Sequence, residues 1–588
     1  MSRRPLAAIL AAVLVLAAAA HLDAAEDGDK ALAEARALVE KKAYGEALAL
    51  YERIADFLSH DPGLLMEWAR VYAYADRHPE AIRLFEQIRK DHPDRAREFL
   101  RELGDQYLWD GQPDKAEPIY REALAINPLD SQAALGLARV LSWSGRRAEA
   151  ATQYDQILKY DPGNLAALNG KAEVLSWMDR LEEAYDLYGQ VLARDPSNLE
   201  ARNGQARVRV WQGYHRAGTA LYEKTLEEHP NDLDALEGLA FARHWNDRDD
   251  LATPALAKLL ALKPDRREAG KLNYHIQYAR QPYVTQSNLY WKDKNDLSLQ
   301  SHGVRTGFRP TPLTNLEGIQ EWVRLRQPGQ PTVEGNRGGL SVASRFSDAF
   351  QFHSYLFGTH FSRVDFNPFT TNTWFTYEPD DLWRFDLSYD RQTFDDIGAL
   401  RNHIFTDSGS LSADFRPNRF WLFSAKYQRS EYSDTNEQNT VLAKVEYRLL
   451  RDPYVKLYYN YYYSDWAKQL YHGYFNPQSI RSHSLGVYAS KNITEKLFAE
   501  GQLSAGHEHH NPIADQPTFY AGGGLVYRLS PRWLASLRGE YFEARPDNDS
   551  GSNGYRRKTI MLSITYNFGE AAPDRGTPSV APRPITGR

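Results

Sequence analysis

Charged side chains alternate with aromatic and aliphatic ones along much of the second half of the chain. Arg384, Asp386 and Asp390 interleave with Trp383, Phe385, Leu387 and Tyr389; Lys444, Glu446 and Arg448 interleave with Val441, Ala443, Val445 and Tyr447. A period of two puts one set on each face of a β-strand. The chemistry such a charged face can do is selection by electrostatics inside a water-filled passage. Its candidate acids are Asp386, Asp390, Asp414, Glu446, Glu500 and Glu540, and its candidate bases are Arg384, Lys426, Arg448, Lys456 and Arg538. An acidic lining favours a cationic polymer and a basic one favours uronic acids; this mixture decides neither. Tyr458 and Tyr462 on the same face either stack on sugar rings or fill space.

Other constellations carry less. His507, His509 and His510 are imidazole donors in an expected outer loop, with no partner to orient them, so no metal centre is expected. No carboxylate pair can be set at glycosidase spacing, and no phosphate-cradling loop or nucleophile elbow occurs. Gly522-Gly523-Gly524 falls inside a strand pattern. The expectation is a protein that is not an enzyme and needs no cofactor.

These faces have to be positioned by 588 residues, enough for at least two domains. With 71 basic and 77 acidic residues, the net charge of -6 argues against a nucleic-acid partner. There is no cysteine, hence no disulfide framework. Leu6 to Ala20 is an apolar run behind Arg3 and Arg4, with an A-x-A site at Ala18 and Ala20; residues 1–20 read as a signal peptide for the ordinary secretory route. No later segment reaches 18 apolar residues, so any membrane crossing is made by strands.

In the first half, tryptophan recurs at Trp109, Trp143, Trp177, Trp211 and Trp245, and proline at Pro128, Pro162, Pro196, Pro230 and Pro264, every 34 residues. Gly104, Ala116 and Tyr120, then Gly136, Ala150 and Tyr154, then Ala172, Ala184 and Tyr188 fill successive units. Tyr222 and Ala252 belong to two more, and Ala81, Phe85 and Pro93, with Ala47 and Tyr51, mark earlier ones. This order of small residue, aromatic and proline resembles the tetratricopeptide repeat. About seven repeats are expected over residues 30–268, with the tryptophans as core plugs at the helix turn.

Beyond a linker at 269–284, short turns alternate with longer connections over 285–568. The turns are 309–312, 347–348, 378–381, 416–418, 451–453, 492–494 and 530–532; the longer connections include 327–336, 392–402, 464–479, 507–516 and 546–554. This pattern predicts a sixteen-stranded antiparallel transmembrane β-barrel, in preference to a sandwich or propeller. The faces of 316–326 and 351–361 stay open. Ile560, Leu562, Ile564, Tyr566 and Phe568 share one face of a last strand that resembles the signal read by the outer-membrane assembly machinery, and 569–588 read as a disordered tail.

Signal peptide, repeats and barrel in this order, with Leu-Ser-Trp-Ser-Gly at 141–145 and Leu-Ser-Trp-Met-Asp at 175–179, resemble the tetratricopeptide-repeat exopolysaccharide export porins, which include the poly-β-1,6-N-acetylglucosamine exporter and the cellulose-export subunit. The resemblance implies a barrel in the lipid of a Gram-negative outer membrane that passes a biofilm-matrix polysaccharide outward. It also implies repeats in the periplasm that hold a polymer-modifying enzyme or synthase-associated protein. The alternative is a non-transporting anchor or adhesion scaffold displaying its loops and repeats.

Overall fold

The computed structural model describes residues 27–470, 472–511, 515–544 and 555–569; the expected signal peptide, most of the tail and the connection at 546–554 lie outside them. The chain forms two compact units, 1–205 and 206–588. No helix among the described residues is long and apolar enough to cross a membrane.

The helical region opens with α1 (27–40) and α2 (Tyr44–Arg53), followed by the short α3 (Ala55–Leu58). Pairs then follow: α4 (Pro62–Tyr74) and α5 (His78–Asp91), α6 (Leu100–Trp109) and α7 (Pro113–Ile126), α8 (Ser131–Trp143) and α9 (Arg147–Tyr160), α10 (Leu165–Trp177) and α11 (Leu181–Arg194). The series ends with α12 (Leu199–Trp211) and α13 (His215–Glu228), and α14 (Leu233–Trp245) and α15 (Asp249–Leu262). Pro128, Pro162, Pro196, Pro230 and Pro264 each stand two residues beyond the end of a pair's second helix. Just after them, Asp130, Asn164, Asn198 and Asp232 cap the next helix, accepting from Ala133, Ala167, Ala201 and Ala235 N–H at 3.0, 3.0, 3.0 and 2.7 Å. Proline stops one helix and an acid or amide starts the next, which is why the period is so regular.

One contact sets the packing distance between successive pairs. The ring of Tyr120 lies on Gly136, Tyr154 on Gly170, Tyr188 on Gly204 and Tyr222 on Gly238; a Cβ at these glycines would stand 2.2 to 2.4 Å from the tyrosine Cζ. Only a residue without a side chain admits the ring. The tryptophans do not fill the core, and that expectation is corrected. Trp109 and Trp143 are 54% and 52% exposed, Trp245 is also exposed, and Trp177 and Trp211 are half-buried. Each ends the first helix of its pair, where the side chain overhangs the turn, and the tyrosine has already taken the core position.

The expected linker is largely helix: α16 (Arg267–Ala279) packs Leu272 and Ile276 into the core of the last repeats, leaving three residues before the first strand. Sixteen antiparallel strands then close into a barrel. They are β1 (Tyr283–Asp293), β2 (Ser298–Thr311), β3 (Thr314–Arg326), β4 (Val333–Arg345), β5 (Phe350–Ser362), β6 (Phe369–Tyr377), β7 (Trp383–Thr393) and β8 (Phe405–Phe415), then β9 (Trp421–Tyr432), β10 (Glu437–Leu450), β11 (Tyr454–Trp466), β12 (Ser479–Asn492), β13 (Leu497–Asn511), β14 (Asp515–Arg528), β15 (Trp533–Ala544) and β16 (Tyr555–Asn567). β1 pairs with β2 on one side and with β16 on the other, from Tyr283↔Asn567 to Asp293↔Arg557. Leu340, Leu387, Leu411, Leu485, Leu503, Ile560 and Leu562 stand exposed on the outer surface, the face a bilayer covers.

Six of the seven short turns fall where the sequence places them; the first is shifted to 312–313, because Arg309, Pro310 and Thr311 continue β2. The strict alternation with long connections does not hold: 294–297 and 433–436 are short as well. Residues 507–511, expected in a loop, continue β13, because its polar residues extend the strand instead of leaving it.

Gly136→Ala is expected to destabilise the repeat unit by about 1–3 kcal/mol through overpacking against Tyr120. Gly45→Ala, where nothing lies within 4 Å, serves as the control. Thermal unfolding followed by the helical circular dichroism signal measures both.

Candidate functional site: the barrel lumen

Alternation along each strand decides which side chains line the interior. On β7, Trp383, Leu387 and Tyr389 are exposed on the outer surface, and Arg384, Asp386 and Asp390 face inward. The same parity carries Asp414, Lys426, Glu446, Arg448, Lys456, Tyr458, Tyr462, Glu500, Arg538 and Glu540 to the inner face.

The structure joins many of them into pairs. Arg384 meets Asp386 at 3.1 Å and Glu378 at 3.8 Å. Lys456 donates to both carboxylate oxygens of Glu446 at 2.9 Å, and Lys444 joins them. Arg538 bridges Glu500 at 3.4 Å and Glu540 at 3.1 Å, and Tyr488 donates to Glu500 at 2.9 Å. Asp390 accepts from the Asn372 amide at 3.0 Å, and Asp414 accepts from the Ser424 hydroxyl at 2.6 Å with Arg416 3.8 Å away. Arg448 lies over the Phe420 ring at 5.8 Å. Lys426 stands opposite Ser412 and Leu442 in register.

The tyrosines have packing roles. Tyr458 is 5% exposed, its ring pressed on Gly486 and its hydroxyl accepting from Gln502 at 2.7 Å. Tyr462 packs among Tyr432, Trp466 and Ile480. Of the histidines, His507 and His509 point outward and His510 points inward beside Glu508 and Gln516. They do not converge, and no group of three such donors able to hold a metal occurs among the described residues.

Several inner residues were missed by sequence reasoning. Glu317 faces Arg305 at 3.4 Å and accepts from Tyr283; Glu321 faces Arg337 at 3.6 Å; Arg345 donates to Glu378 at 2.8 Å. His353 stacks on Trp374 with centroids 4.5 Å apart. The larger omission is α17 (Ile397–Arg401), in the connection between β7 and β8. Ile397 and Leu400 are buried against the inward-facing Trp291, Leu299, Val323, Leu325, Val333 and Phe361 of β1 to β5, and Ala399 and Ile404 against Tyr432, Trp466 and Ile480 of β9, β11 and β12. The helix therefore lies across the lumen at the loop end. Asp396 caps it, accepting from Ala399 N–H at 3.0 Å. Gly473, at φ +93°, backs against Gly398, and Asn402 donates to the His472 carbonyl at 3.0 Å. At φ > 0 a side chain is strained, and here a Cβ would also stand 2.2 Å from Ala399 N.

At the turn end, the last repeats grip the rim. The backbone N–H groups of Arg216 and Ala217, in the first turn of α13, donate to the Asp381 carboxylate at 3.0 and 3.1 Å. This places an anion at the positive end of a helix. Burial pushes the neighbouring His215 imidazole below its ordinary value, so it adds little charge there. Arg248 pairs with Asp348, Arg216 donates to the Asp348 carbonyl, and Tyr214 donates to the Pro417 carbonyl at 3.0 Å. Arg451 covers the Trp211 ring at 5.9 Å.

Replacing Ile397 and Leu400 together by serine removes apolar burial of roughly 1.5–3 kcal/mol per side chain and is expected to release α17. Single-channel recording in planar bilayers should show low conductance for the native protein and a clearly larger unit conductance for the double variant.

Comparison with known families matches tetratricopeptide repeat models to residues 66–131, 108–172 and 144–208. The PgaA membrane beta barrel domain model matches residues 371–507, from β6 into β13. Among curated proteins, nothing matches. Similar solved structures include a bacterial polysaccharide outer membrane secretin, at 13% identity over 49% of this chain and 99% of that one, with a TM-score of 0.41. A tetratricopeptide repeat protein from Parabacteroides merdae is 17% identical over 37% of this chain and 86% of that one, with a TM-score of 0.34. The chain thus joins an array of tetratricopeptide repeats to a membrane β-barrel domain of the PgaA type.

Proposed function

We propose that this protein is an outer-membrane porin that exports a polysaccharide of the biofilm-matrix kind, such as poly-N-acetylglucosamine or cellulose, from the periplasm to the cell surface. The observation that carries the reading is a closed sixteen-stranded barrel, part of it matching the PgaA barrel domain, whose inner face is polar and charged while its outer face is apolar. Sixteen strands enclose enough room for an aqueous channel. The even strand number returns both ends of the barrel segment to the turn end, where the last repeats lie. In this reading that end faces the periplasm and the loops face outward.

The repeats then dock a periplasmic partner, a polymer-modifying or synthase-associated protein. Support comes from the exposed indoles of Trp109 and Trp143, whose rings meet edge to face at 6.0 Å. Large aromatic side chains in the open are what protein interfaces use as anchors. A second reading, a non-transporting anchor, is favoured by one feature, the helix across the lumen.

A strain lacking this protein should make polymer and retain it inside the cell; normal surface polymer in that strain rejects export. Trp109→Ala with Trp143→Ala should leave the melting temperature within a few degrees of the parent, since both are exposed. Surface polymer, measured by immunoblot or dye binding, should nevertheless fall severalfold.

A further inference from the structure

The outer face departs from its apolar rule in one sector. Near the middle of β1, β2 and β3 the outward positions hold Gln286, Asn288, His302 and Gln320, on the same face as the exposed Tyr290 and Val304. The middle stretches of β7 to β16 turn only Leu, Ile, Val, Ala, Gly and Tyr outward. His302 Nδ1 donates to Asn288 Oδ1 at 2.7 Å, and its ring stacks on Trp322 with centroids 5.4 Å apart. Gln286 and Gln320 make no side-chain hydrogen bond among the described residues. Beside Gln320 a groove of about 610 Å3 runs over β2 to β6, floored by Gly318, Gly338 and Gly358. Nothing lies within 4 Å of a Cβ placed on Gly318 or Gly358. Leu340, 66% exposed, projects from the edge of this groove.

We infer that this sector is an interface between two copies of the chain within the membrane. Hydrocarbon offers an amide neither donor nor acceptor, so Gln286 and Gln320 against lipid leave their polar atoms unpaired. A primary amide is donor and acceptor at once, and it therefore pairs with the same amide on a copy turned by a two-fold axis. The groove and Leu340 are complementary in the same sense. The leucine of one copy enters the glycine floor of the other, and the absence of side chains there lets the two walls approach closely. An acyl chain fills the groove but leaves the amides unmet. A patch that carries both halves of each contact is what a two-fold pair requires, and a different protein imposes no such requirement.

The chain has no cysteine, so an introduced thiol is unique. Treating outer membranes that hold the full-length Gln320→Cys protein with a short bis-maleimide should give a species of twice the chain mass. Leu485→Cys, on β12 across the barrel, should give none. In detergent, sedimentation equilibrium of the native protein should report a dimer. Gln286→Leu with Gln320→Leu, or Gly338→Leu alone, should weaken that dimer at least about tenfold. Both variants should keep the heat-modifiable gel mobility of a closed barrel, because leucine suits a lipid-facing wall and a Cβ at Gly338 meets only Gln320 Oε1, at 3.5 Å. Four results overturn the inference: equal cross-linking of the two cysteine variants, a Gln320→Cys adduct whose mass is not that of two chains, a native protein that sediments as a monomer throughout, or a dimer that the leucine substitutions leave intact.

Discussion

In lipid a backbone N–H or C=O without a partner costs several kcal/mol, and the pairing of β1 with β16 meets that demand here. Without it, two edge strands of more than ten residues would expose unpaired groups to hydrocarbon. Closure carries much else with it. Strands locked on both sides hold strict alternation, so the residues between Trp383 and Tyr389 sort without exception into a lipid face and an inner face. Closure with an even count also brings the chain back to the end it started from, where the turns meet the helices that precede β1.

The architecture was largely legible because its signals are local. Proline, acid cap and glycine recur at fixed offsets, and turns such as Glu378-Pro379-Asp380-Asp381 announce themselves by composition. The candidate inner charges on β7 to β15 followed from period two alone. Where that rule left β3 and β5 open, the structure gives the reason. Val323, Leu325 and Phe361 face inward, yet they are apolar because Ile397 and Leu400 rest on them. An inner face that is covered reads like an outer one. Recognising it requires the packing of a connection onto strands about 40 to 100 residues away in sequence, which no local pattern encodes.

The tryptophans illustrate the opposite error. Their strict recurrence points to packing because repeats stack through recurring residues, but recurrence marks position in the repeat and not burial. The core position belongs to the tyrosine that lies on glycine, at Tyr120, Tyr154, Tyr188 and Tyr222. Gly170, Gly204 and Gly238 share the 34-residue step of Gly136 and carry the same signal. The ion pairs of the lumen were beyond sequence reasoning for a related reason: composition supplies the two signs, and only the register of neighbouring strands says which acid meets which base.

The grip of α13 and its neighbours on Asp348, Asp381 and Pro417 places the natural seam of the molecule at about residue 206, well before the first strand. The helices from α13 onward are therefore structurally part of the barrel unit, held to its turns, and the upstream repeats form the other compact unit. A change in repeat number upstream of residue 206 would therefore leave every contact between these helices and the barrel turns in place.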